Sequence, residues 1–242
     1  MAEQTYIVAG CKPWNRRVFE EQISKLPGQW HFIGAPEELS IEKVDALHPR
    51  YIFFLHWSQK VQEKLVRNQE CVCFHMTDVP YGRGGSPLQN LIVRGHRETK
   101  LTALRMSEEF DAGPVYVKRA LSLDGNAEEI YIRSSNLAAK MIGDIIRDEL
   151  QPTPQTGEPV VFRRRKPAES EIPPNLSLEG LYDFIRMLDA QGYPRAFLLH
   201  GNFRCEFSRA VLYDREIRAD VSIRLVKSNS AHEDSRNSCA SR

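Results

Sequence analysis

The stretch from Phe74 to Ile92, FHMTDVPYGRGGSPLQNLI, gathers groups able to do chemistry: His75 closes an apolar run, Asp78 follows it, and Gly82, Gly84 and Gly85 surround Arg83. An imidazole titrates near neutrality and can carry a proton between reacting atoms, although a histidine ending an apolar strand also serves as a hydrogen-bonded core residue. The glycines remove Cβ atoms where backbone must come close to a ligand, and they also make tight turns. Arg83 among them suits a phosphate or carboxylate. Asp111, in FDAG, fits either a turn or a carboxylate partner. Cys71, Cys73 and His75 share one strand face, but same-face neighbours on a strand lie roughly 6.5 to 7 Å apart, too far to converge on one ion with ligand bonds of about 2.0 to 2.3 Å. No metal site is expected.

These side chains need elements to hold them. Apolar runs at 5–10, 30–34, 51–55 and 71–75 read as strands, alternating with helical periodicity at 14–26, 37–47 and 58–68, the last with Ser58 as N-cap. Such alternation predicts an α/β fold, a Rossmann-like, mostly parallel sheet whose ligands sit beyond the carboxyl ends of the strands, where His75 lies. Ser86-Pro87 starts another helix. Strands follow at 100–106 and 115–123, then a long amphipathic helix at 127–150. The expected organisation is a catalytic domain over 1–150, a proline-rich linker over 151–175, a small α+β module over 176–226 with a helix near 177–190 and three strands, and a disordered tail over 227–242.

At 242 residues the chain can bury a core without disulfides or metal. A net charge of +1 and a 41% hydrophobic, 27% charged composition exclude a strongly basic nucleic-acid binder and a disordered chain. No long apolar span or leader pattern is visible, and five irregularly spaced cysteines suit a reduced interior. The expectation is a cytoplasmic protein with small-molecule partners, without nucleic acid or membrane. The basic run VFRRRKP reads as a solvated surface.

The residues resemble those of the folate-dependent formyltransferases, which include methionyl-tRNA, glycinamide ribonucleotide and amino-sugar enzymes. Their Asn-x-His, glycine loop and Asp-x-Gly pattern corresponds here to His75, to PYGRGGSPLQ and to Asp111-Ala112-Gly113. The likeness is close over residues 50–172. Its wording is most similar to the amino-sugar N-formyltransferases, including the pseudaminic acid branch, and to the formylation domain of linear gramicidin synthetase. The resemblance implies transfer of a formyl group from N10-formyltetrahydrofolate to the amine of a nucleotide-linked amino sugar. His75 then handles the amine proton or the oxyanion, and Asp111 fixes its tautomer. Phe54, Trp57, Ser107, Glu108, Glu109 and Phe110 border the folate. Arg83, Gly84 and Gly85 face the acceptor, with Trp14 as a stacking candidate or as packing for the first helix. Cys73 replaces the family's Asn, a departure that suggests a non-catalytic folate or nucleotide-sugar binding relative; a formyl-folate hydrolase, with water in the amine's place at the same His and Asp, is the other alternative. A homodimer through the small module is also implied.

Overall fold

A computed structural model of the chain describes residues 4–226. The tail expected over 227–242 lies outside the described residues. Strands β1 (Thr5–Ala9), β2 (Gln29–Ile33), β3 (Tyr51–Phe54) and β4 (Cys71–His75) form the parallel part of a six-stranded sheet. Its order is β2-β1-β3-β4 followed by two later strands, β6 (Glu98–Arg105) and β7 (Val115–Ser122). Strand β5 (Tyr81–Gly84) lies outside it, while β6 runs antiparallel to both β4 and β7. The mixed, mostly parallel sheet agrees with the sequence reading.

Helices α1 (Pro13–Glu21), α2 (Ile41–Leu47), α3 (Glu63–Asn68), α4 (Pro87–Val93) and α5 (Ala127–Arg147) complete the first part of the chain. Each sheet face is apolar, as a doubly covered sheet requires. Val8, Phe53 and Val72 point into one core with α1 and α5, whereas Ile7, Ile52 and Cys71 point into the other with Leu39, Val44 and Leu65. Helix α5 begins with a reciprocal cap: Asn126 Oδ1 accepts from the Glu129 amide at 2.9 Å, and Glu129 Oε2 accepts from the Asn126 amide at 2.8 Å.

Several boundaries differ from expectation. Helix α3 starts at Glu63 with Gln62 at the cap, so Ser58 caps nothing, and Val61, ahead of the helix, is buried beside Leu65 from a non-helical segment. The segment 37–47 is broken by Ser40, whose Oγ accepts from the Lys43 amide and starts α2 there. Helix α1 stops at Glu21, and a 3-10 turn continues to Lys25. Ser86 does precede α4, but in the left-handed region (φ 50), and its Oγ accepts from the Arg165 amide at 3.0 Å instead of capping the helix.

Strand β8 (Val160–Phe162) pairs in parallel with β5, a strand in the stretch read as a loop. Ahead of it, Thr153 and Val115 exchange backbone hydrogen bonds of 2.7 and 2.9 Å. The first half of the stretch read as a linker thus lies against the sheet edge and the glycine segment. Helix α6 (Leu178–Arg186), capped by Ser177, packs against α4 and against an antiparallel sheet of β9 (Ala196–His200), β10 (Phe203–Leu212) and β11 (Ile217–Leu225). No helix among the described residues is long and apolar enough to cross a membrane.

Candidate active site

Strand β4 delivers His75 to the carboxyl edge of the sheet, where it remains 8% exposed. Nε2 lies 2.8 Å from the Gly82 carbonyl oxygen, and Nδ1 lies 3.4 Å from Asp111 Oδ1. Acceptors therefore face both ring nitrogens: a neutral ring donates to one of them, and an imidazolium donates to both. Thr77 donates its hydroxyl to the same Gly82 carbonyl at 3.3 Å, bracing it from below.

Asp111 sits in the turn between β6 and β7 with φ 55, a conformation unusual for a residue bearing a Cβ. Its Oδ2 accepts from the Gly84 amide at 2.9 Å. From within the turn, the carboxylate thus bridges the glycine segment and His75.

The glycines serve the protein's own packing. A Cβ on Gly82 would stand 2.7 Å from Thr77 Cγ2 and 2.8 Å from Phe162; on Gly84 it would meet the Phe162 carbonyl at 2.6 Å. They allow β8 to close over β5. The amides expected to face an acceptor are already engaged, Gly84 with Asp111 and Gly85 with the Phe162 carbonyl at 3.0 Å. Arg83 directs Nε and Nη2 to Gln155 Oε1 at 3.1 and 2.9 Å, and only Nη1 reaches outward, to the exposed Glu109 at 3.4 Å.

The residues expected around folate fall into two groups. Phe54 is core, and Trp57 meets it edge-on with ring centroids 5.7 Å apart. Trp57, Cys73 and Met106 border the same apolar cluster, and the buried Trp57 Nε1 has no partner. Ser107, Glu108, Glu109 and Phe110 form an exposed rim: Ser107 Oγ donates to the Glu109 carbonyl, Glu108 pairs with Arg67 at 2.7 Å, and Phe110 is 69% exposed. Burial, with the Asp111 carboxylate as a smaller cause, pushes the Cys73 thiol pKa well up. A neutral thiol is a weak donor beside the reacting edge.

Trp14 lies apart from this cluster. It is 6% exposed and stacks on Tyr131 with centroids 5.9 Å apart, beside His56 and Tyr193. Its packing role, one of the two readings, is the one its contacts match. The sequence reading missed Thr77, Met106 and Gln155. Thr77 lies two residues beyond His75, past the end of β4, and Gln155 sits in a proline-rich run; neither position carried a periodic signal. Among the described residues no three His, Cys, Asp or Glu side chains converge as a metal site would require.

Comparison with known proteins bears on the chain as a whole. A family model described as the methionyl-tRNA formyltransferase C-terminal domain matches residues 167–224. The solved methionyl-tRNA formyltransferase from Clostridium thermocellum is 45% identical, superposes with a TM-score of 0.87, and is matched over 92% of this chain and 99% of its own. The curated methionyl-tRNA formyltransferase of Thermodesulfovibrio yellowstonii is 24% identical over 154 residues, 60% of this chain and 50% of that protein. The chain spans about half the length of the curated relatives it matches. A 4-N formyltransferase from Francisella tularensis, 17% identical and with a TM-score of 0.66 over 82% of this chain and 93% of its own, shares the fold. On the strength of the 45% identical relative, matched along nearly its whole length, the chain belongs to the formyltransferase family typified by methionyl-tRNA formyltransferase.

Proposed function

We propose that this chain moves the formyl group of N10-formyltetrahydrofolate onto the amine of a nucleotide-linked amino sugar. The observation that carries the reading is His75, held at both ring nitrogens between the Gly82 carbonyl and the Asp111 carboxylate at the carboxyl edge of β4. The bound folate supplies an activated formyl carbon. The acceptor's amine nitrogen forms the new C–N bond and the bond to folate N10 breaks. His75 takes the proton the amine loses and returns one to N10, and Asp111 steadies the ring while it is charged.

The orphaned indole N–H of Trp57, on an apolar wall with Phe54 and Met106, suits a flat ring with polar edges. Trp57 and the 107–110 rim would therefore hold the folate, and the outward Nη1 edge of Arg83, paired with the exposed Glu109, would meet the acceptor. A sugar nucleotide is favoured by the small module's charge pattern. Each of its arginines from Arg195 to Arg224 has a carboxylate within ion-pair distance, through Asp189, Glu206, Asp220, Asp214 and Glu216. A chain of net charge +1 with its arginines paired in this way lacks the basic excess that tracking a nucleic-acid backbone uses.

The 45% identical relative named as a methionyl-tRNA formyltransferase favours a second acceptor, methionyl-tRNA. One experiment separates the readings. The chain is incubated with formyltetrahydrofolate and, in turn, UDP- and dTDP-linked 4-amino-4,6-dideoxy sugars and methionyl-tRNA, and the products are weighed by mass spectrometry. A formylated sugar is the expected result. Formylated methionyl-tRNA replaces the acceptor, free formate alone makes the chain a hydrolase, and no product leaves a binding relative.

A further inference from the structure

The turn between β6 and β7 that carries Asp111 is weakly tethered by its own backbone. Residues 107–110 are exposed, and inside the turn the Ala112 amide reaches the Glu109 carbonyl only at 3.4 Å. The firm attachment comes from Gln155. Its Nε2 donates to the carbonyls of Asp111 and Gly113, both at 2.8 Å, and its Oε1 accepts from Arg83 Nε and Nη2. Both amide hydrogens and both oxygen lone pairs are thereby used. Gln155 is fixed in turn, between the Thr153–Val115 bridge and the amide of Val160, which donates to the Pro80 carbonyl at 3.0 Å.

We propose that Gln155 is a positioning residue for formyl transfer. It clamps the left-handed Asp111 backbone so that the carboxylate reaches both Gly84 and His75, and Arg83 acts as the strut that aims the clamp. The inference rests on the reading of His75 and Asp111 as the acid–base pair. The chemistry demands an amide: a carboxylate at 155 would hold Arg83 at least as well, yet it has no hydrogen to give the two carbonyls. Misplacing a group by a fraction of an ångström costs rate while leaving binding intact.

The full chain is compared with Gln155→Glu and Gln155→Ala, each checked for an unchanged melting transition. Two quantities are read: kcat and KM with formyltetrahydrofolate and dTDP-4-amino-4,6-dideoxyglucose, and exchange of the Gly84 amide hydrogen by NMR, which reports its bond to Asp111. Both variants are expected to lose about 10- to 100-fold in kcat with the folate KM within about twofold, and to exchange Gly84 faster. Wild-type kcat in Gln155→Glu overturns the proposal, because holding Arg83 would then suffice. Unchanged Gly84 exchange in both variants also overturns it. If the unaltered chain formylates neither this sugar nor any other acceptor, the catalytic reading has failed; Gly84 exchange then decides by itself whether Gln155 positions Asp111.

Discussion

The peptide N–H of Gly84 donates to Asp111 Oδ2 at 2.9 Å while the other oxygen of that carboxylate lies 3.4 Å from His75. One side chain thus joins the glycine segment to the imidazole. Replacing either member of the His75–Asp111 pair should therefore disable chemistry more than binding. His75→Asn and Asp111→Asn are each expected to lower kcat by roughly 10² to 10⁴ while calorimetry finds folate affinity nearly unchanged. A comparable loss of affinity would make these residues ligand contacts.

Cys73 should be dispensable and inert. Burial raises its thiol pKa, and burial likewise pushes Cys71 up to about 12. Thiolate, the reactive form, is scarce for both at pH 8. Cys73→Ala is expected to cost less than about tenfold in kcat. In native protein treated with iodoacetamide, peptide mapping should find the exposed Cys11 alkylated well before either. Rapid labelling of Cys73 would place it in an open, activated setting.

His56 couples the fold to pH. Its Nε2 contacts the Tyr193 hydroxyl, and its ring lies edge-on to Tyr131 with centroids 4.1 Å apart. Burial, aided by Lys12, holds its pKa down to about 3 from an ordinary 6.5. Below pH 6.5 the unfolded chain binds a proton that the folded chain refuses, so stability falls as pH falls towards 3. By pH 5 this single group accounts for about 2 kcal/mol. Urea unfolding between pH 7.5 and 5 should show the loss, and His56→Gln should flatten it; an equal slope in the variant would assign the effect elsewhere.

Trp14 should behave as core. Trp14→Ala is expected to destabilise by about 3 to 5 kcal/mol, and Trp14→Phe by much less, with little change in acceptor KM for the folded Phe variant. A large rise in KM for Trp14→Phe would return Trp14 to the acceptor site.

The parallel strands and α5 were legible because their patterns are local: apolar runs such as YIFF and CVCF, and helical periodicity closed by a cap. The position of His75 followed from the strand that ends there. The β5–β8 pair was not legible. One partner is rich in glycine, the other is a three-residue strand directly after a proline-rich run, and parallel pairing across that distance leaves no periodic trace. For the same reason the glycines suggested ligand access, when the atoms they admit belong to Phe162 and Arg164. Gln155 was invisible because its value lies wholly in which carbonyls it reaches.

The return of residues 153–162 to the sheet edge also sets a schedule for synthesis. A nascent chain that has emerged only as far as α5 contains every strand of the large sheet, His75 and Asp111. The carbonyls of Asp111 and Gly113, the Gly85 amide and the inward edge of Arg83 still await partners that the ribosome has yet to release. Completion of these contacts therefore waits on residues 153–162, and ribosome-bound chains halted before and after residue 162 should differ in the order of the Asp111 turn although both contain the same sheet.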